Sequence, residues 1–301
     1  MSEPTHFDDF GMDTQSLAGT LAGRLEAMRA AGFRRVMLEA ADLAAHPGGV
    51  EGAVRDVRAS GLQVIGLRTL HGFEGMLGAA HAYKVEVART LLGMCAALGC
   101  RLLLAASSTD PHAAGDAGHI ARDLRKLATM ALPSGIRIAY EAVSWARQVA
   151  TLAAAAEVAE RVDSPNFGLA IDSYHSFAGG TALDVLDEID IERVYLVELS
   201  DFLWRGLRSQ AEHIDTAEHF RVFPGQGAHG PALQGLVLAL DRLGYRGPYS
   251  LAVANRDYLQ LPPAAVAEQA RRAAVWLAEG VLRRAVPLPH QLLQGCGRAA
   301  C

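Results

Sequence analysis

The chain has 301 residues, half of them hydrophobic and only 6% aromatic, and a net charge of −5. That length suits one α/β barrel, and the surplus of Ala, Leu and Val suits helix-on-sheet layers. An acidic balance with scattered Arg excludes a polyanion footprint, so no nucleic-acid partner is expected, and no apolar run reaches the roughly 18–20 residues that cross a bilayer.

The first residues, MSEPTHFDDFGMD, have neither the basic nor the apolar part of a signal peptide, which predicts a cytoplasmic protein with no membrane partner. An opening strand is expected within 5–17, although HFDDFGMDTQSL is poor β-sequence. Aliphatic or β-branched runs follow at 34–39, 62–67, 101–106, 136–141, 167–172, 193–198 and 248–253. Helical spacing fills 18–31, 49–60, 79–98, 112–132, 147–162, 181–188, 231–243 and 263–284, and several of these stretches end in Gly-marked turns. Strand and helix alternate as in βαβ units. The pattern therefore predicts a single-domain (β/α)8 TIM barrel over residues 1–285, with 286–301 as a surface tail. An open doubly wound sheet would want a phosphate loop after an early strand, and GxGxxG and GxxxxGK[ST] are both read as absent. Residues 199–230 form the longest stretch without regular pattern, on the side where barrel sites form. Cys95, Cys100, Cys296 and Cys301 show no CxxC spacing, so neither disulfides nor zinc are expected; Cys95 and Cys100 read as small buried hydrophobes.

In such a barrel the C-terminal ends of the strands face the site. Glu141, Asp172 and Glu198 end three successive strands, and like charges that converge need a positive partner. A hard divalent cation, Mg²⁺ or Mn²⁺, or neighbouring Arg and Lys would supply it; helix capping is the plainer alternative, for which Asp suits better than Glu. His175, three residues after Asp172, is placed as ligand, general acid/base or loop residue, and acid/base is favoured. His71 follows the third strand within reach of a substrate. Arg221, in the Gly-rich segment HFRVFPGQGAHG, offers a planar fork to a carboxylate or phosphate, while Trp145 and Arg147 suit a pocket wall.

The stretches LAGTLAGRLEAMRAAGF, GFEGM, YEAVSWAR, FGLAIDSYH, VELSD and FRVFPGQG, with LGYRGPYSLAVAN after them, resemble the xylose-isomerase-like sugar isomerase/epimerase barrels. More narrowly they resemble the bacterial 3-dehydroshikimate dehydratase branch, from about residue 16 to about 280. The resemblance implies a divalent-metal enzyme that enolises a hydroxy-ketone and, in the dehydratase branch, expels water to leave a catechol acid. It also implies Glu141 and Asp172 as metal ligands, His175 near the reacting centre and Arg221 on the substrate side.

Four positions depart from that pattern. Glu198 stands where the branch has Gln and sister branches His, and Ala252 stands where SLEVFN would supply a fourth ligand. His71 replaces an Arg in TLHGFEGM, and Met37 replaces an early-strand Glu. Three readings follow: Glu141, Asp172 and Glu198 hold a metal; His175 and Glu198 do metal-independent acid/base work; or the barrel binds a ligand or partner without catalysis. The first is the expectation, with a small-molecule substrate and room for a homo-oligomer.

Overall fold

The structure, a computed structural model, describes residues 7–113 and 115–284. Eight parallel strands close into a barrel: β1 (Phe10–Asp13), β2 (Arg35–Glu39), β3 (Gln63–His71), β4 (Leu102–Ala106), β5 (Arg137–Glu141), β6 (Phe167–Asp172), β7 (Val194–Leu199) and, last in sequence, β10 (Tyr249–Leu251). β10 pairs with both β7 and β1, which completes the ring. A separate antiparallel pair, β8 (Asp201–Phe202) with β9 (Arg221–Val222), stands over the mouth.

The weak opening strand forms because packing overrides propensity. All four residues of Phe10–Asp13 are buried, and the Phe10 ring stacks on Tyr249 of the neighbouring strand at 4.9 Å. Strands buried on both faces read as continuous apolar runs, LLLAA in β4 being one. Inside the barrel Met37, Leu102, Leu104, Ala139, Ala170 and Leu196 pack together with Tyr195. Met37 is thus a filler of the inner core. β6 and β7 approach so closely that a Cβ on Gly168 would meet the Arg193 carbonyl at 2.2 Å and the Tyr195 ring at 2.7 Å. A Gly168→Ala substitution is therefore expected to cost about 1–3 kcal/mol by overpacking, read as a lower denaturation midpoint with an unchanged slope.

The outer helices are α1 (Leu21–Ala30), α2 (Ala40–Ala44), α3 (Gly49–Ser60), α4 (Gly78–Leu98), α5 (Ala117–Ala131), α6 (Leu152–Val162), α7 (Ser173–Ala178), α8 (Gln210–His219), α9 (Gly230–Arg242) and α10 (Pro263–Val275). Their starts follow side-chain caps: Thr20, Asp116, Thr151 and Ser209 each accept a backbone N–H of the first turn. Two of the predicted helices therefore begin about five residues late, at 117 and 152, because the cap and not the apolar spacing sets the start. The stretch 181–188 is a 3₁₀ turn over Leu183–Glu188, and a π turn at Trp276–Val281 follows α10. Residues 199–230 hold regular structure after all, in β8, α8 and β9. Cys95 and Cys100 are buried free thiols, whereas Cys296, Cys301 and the expected 286–301 tail lie outside the described residues. Among the described residues no helix is long and apolar enough to cross a membrane.

Candidate active site at the barrel mouth

Register brings the acids together. Asp172 on β6 lies beside Glu198 on β7, and Glu141 ends β5 next to Ala170 of β6. All three are buried, and Glu141 lines a mouth cavity of about 450 Å³ whose walls include Gln15, Thr69, His71, Trp145, His175 and Glu218. The cations that make this convergence tolerable are two buried arginines.

Arg221 donates to Asp172 at 2.6 Å and to the Ala217 carbonyl at 3.1 Å, with its guanidinium 4.4 Å above the Tyr174 ring. The fork expected to meet a substrate is thus largely engaged within the protein. Asp172 also caps α7, accepting the Tyr174 N–H at 2.6 Å, so capping and site membership are one residue's two roles. Burial alone would raise its carboxyl, but Arg221 and His175 outweigh that and hold it down at about 2.

Arg68, at the end of β3, reaches across the mouth to three other strands. It bonds Asp13 on β1 and lies 3.2 Å from Glu39 on β2 and 3.4 Å from Glu198 on β7. Even with this cation, burial pushes Glu198 up to about 7 and Glu39 up to about 8.

Glu141 has no such partner. Its Oε1 is buried without a hydrogen bond, 3.8 Å from His175 Nε2. Burial, then the charges of Asp172 and Glu198, drive its carboxyl well above the usual range. The donor atoms of Glu141, Asp172 and His175 lie within 4.8 Å of one another, and two carboxylates with an imidazole suit a divalent cation. On the orphaned Glu141 oxygen and this donor set, the cluster can hold a metal ion.

His175 is hemmed in by Trp145, with ring centroids 5.0 Å apart, and by Tyr174 at 5.2 Å. Its Nδ1 lies 3.3 Å from Ser144 Oγ, which lies 3.3 Å from His213 Nδ1; its Nε2 lies 3.4 Å from an Arg221 N–H. A proton on Nδ1, donated to Ser144, leaves the Nε2 lone pair to accept from Arg221 and avoids setting an N–H against a cation. Ser144 N–H donates to Nδ1 at 3.3 Å, and with the Ser144 hydroxyl as a second donor it favours the opposite tautomer. Burial, reinforced by Arg221 against Asp172, pushes the imidazole down to about 3, so it is neutral at physiological pH.

Of the remaining expected residues, His71 and Trp145 line the cavity. Arg147 is exposed and donates to the Pro111 carbonyl at 3.0 Å, so the structure does not bring it to the wall. The acid-at-strand-end rule, applied to every strand, would also have found Asp13 and Glu39. Arg68 escaped because β3 runs four residues past its expected end. The segment GQGAHG, 225–230, has GxGxxG spacing but is no phosphate loop: the Asp201 carboxylate already accepts the N–H groups of Gly225, Gly227 and His229 at 3.0–3.3 Å. The protein's own anion fills that nest.

The chain is 34% identical over 270 residues to a 3-dehydroshikimate dehydratase from Pseudomonas aeruginosa, covering 88% of this chain and 41% of that one. It is 28% identical over 148 residues to an inosose isomerase from Halalkalibacterium halodurans, covering 46% of each. A solved xylose isomerase-like TIM barrel/4-hydroxyphenylpyruvate dioxygenase fusion protein superposes with a TM-score of 0.85 at 29% identity, over 91% of this chain and 43% of that one. The chain thus spans about two fifths of the length of the dehydratase and of the fusion protein. The family described as xylose isomerase-like TIM barrel matches residues 25–279, and the chain belongs to it.

Proposed function

We propose that this barrel is a lyase or isomerase of the dehydratase kind, acting on a small hydroxy-ketone, carbocyclic or keto-sugar-like. The observation that carries the reading is the buried meeting of Glu141, Asp172 and His175, of which Glu141 and His175 line a polar-walled cavity. The relatives' names, a 3-dehydroshikimate dehydratase and an inosose isomerase, support this substrate class.

Glu141 and Asp172 would hold Mg²⁺ or Mn²⁺, which, when bound, polarises the ketone oxygen so that the adjacent carbon gives up a proton more readily. The neutral His175 takes that proton on Nε2 facing Glu141, and the imidazolium that results is favoured by Asp172 beside it and opposed by Arg221. In a dehydration the same proton then goes to the departing hydroxyl, so hydroxy-ketone becomes enone and water with no other reactant. In an isomerisation it returns to carbon. Trp145 keeps one side of the imidazole dry, and Arg221 holds Asp172 in place.

The test is to supply the purified chain and Mn²⁺ with 3-dehydroshikimate or an inosose, following aromatic absorbance in the first case. Turnover that falls at least about 100-fold in Glu141→Gln is expected, the scale of losing electrostatic support in a dry site. No turnover of either compound, with no Mn²⁺ bound through Glu141, would reject the proposal. Turnover indifferent to a chelator would instead favour metal-independent acid/base chemistry.

A further inference from the structure

We propose that Arg68 is a built-in cation of the mouth: it claims Glu198, with Asp13 and Glu39, and leaves a metal ion to the Glu141 and Asp172 side alone. The inference rests on the metal reading above and decides which acids take part in it.

The argument begins with strand order. Arg68 rises from β3, yet the carboxylates it reaches belong to β1, β2 and β7. β1 and β7 are the two neighbours of β10, whose chain continues into the buried Ala252. On that side of the mouth β10 contributes a methyl group, and the guanidinium bridges the acids on either side of it. Asp13 and Glu198 are each wholly buried, at 0% exposure, and buried charges persist only when paired. An arginine never gives up its charge, so a cation always stands at this spot.

The acids thus fall into two groups. Asp13, Glu39 and Glu198 share Arg68 as an ion partner, Asp172 is held by Arg221, and Glu141 forms an ion pair with neither arginine; unpartnered oxygens occur on both Glu141 and Glu198, so the ion pairs alone divide the acids. Two carboxylates, completed by water or substrate, are an ordinary protein contribution to a Mg²⁺ or Mn²⁺ site. A divalent cation there also feels repulsion from Arg68, whose charge acts on Glu141 as well. Arg68 therefore limits both the number of acids that bind metal and the strength with which they do so.

Titration of the metal-stripped full chain with Mn²⁺ alone, followed by calorimetry, tests this. Glu198→Gln is expected to bind within about threefold of the parent and Glu141→Gln at least about 30-fold more weakly. Arg68→Gln is expected to bind at least about tenfold more tightly, or to take a second ion between Asp13, Glu39 and Glu198. Loss of binding in Glu198→Gln equal to that in Glu141→Gln would overturn the proposal, and so would an Arg68→Gln affinity equal to the parent's. Should Arg68→Gln fail to fold, the Glu198→Gln result decides. Binding that appears only in Arg68→Gln rejects the metal reading of the parent and upholds the role of Arg68. Binding that depends on Glu141 but ignores Arg68 does the reverse.

Discussion

Replacing His175 by Gln is expected to slow turnover of the hydroxy-ketone about 10²- to 10⁴-fold, the usual contribution of a positioned general acid/base. Glutamine keeps the bulk between Trp145 and Tyr174 and can still hydrogen-bond Ser144, so the thermal transition is expected to stay within a few degrees of the parent's. What it lacks is a nitrogen that can carry a proton in and out. Because Nε2 also stands within reach of Glu141 and Asp172, activity alone does not separate a base from a ligand. A Mn²⁺ titration does: affinity within about threefold of the parent marks His175 as the proton carrier. A loss as large as that of Glu141→Gln would make it a ligand and sink the assignment.

The largest effect on stability is expected at Arg221. An Arg221→Met variant removes the cation from Asp172 while nearly preserving side-chain volume, and breaking a buried pair by deleting one partner costs about 3–5 kcal/mol. The variant should also respond differently to acid. In the parent the Asp172 carboxyl is depressed to about 2 from 3.8, so its stabilisation is present above about pH 4 and is lost as the pH falls through about 2. Without Arg221 the buried carboxyl rises instead, and this acid-labile part of the stability disappears. Urea midpoints measured from pH 2 to pH 7 in both proteins check the prediction. Parallel curves would mean that Arg221 does not set the ionisation of Asp172.

Much of the site was legible because a parallel barrel strand points its C-terminal end at the mouth. Asp172 and Glu198 needed only that rule, and their register follows from the strand runs. Arg68 was hidden for the converse reason: a position past the expected end of a strand carries no signal of where a long side chain reaches. Arg221 was recognised as an arginine near a site, but its partner is 49 residues away in sequence and is supplied by the fold. Asp201 shows the same limit, since spacing alone makes GQGAHG look like a loop for a foreign anion.

The sequence by itself determined the alternation of strands and helices, the barrel class and the acids at three strand ends, because hydrophobic period and strand polarity are local properties. Only the tertiary structure decided how those acids are shared out. Charge pairing in a buried mouth depends on which long side chains cross from strand to strand, and the closure of β10 between β7 and β1 brings Asp13, Glu198 and Arg68 into one group. Glu198 and its strand neighbour Asp172 thus answer to different arginines, although all three acids occupy equivalent places at the ends of successive strands.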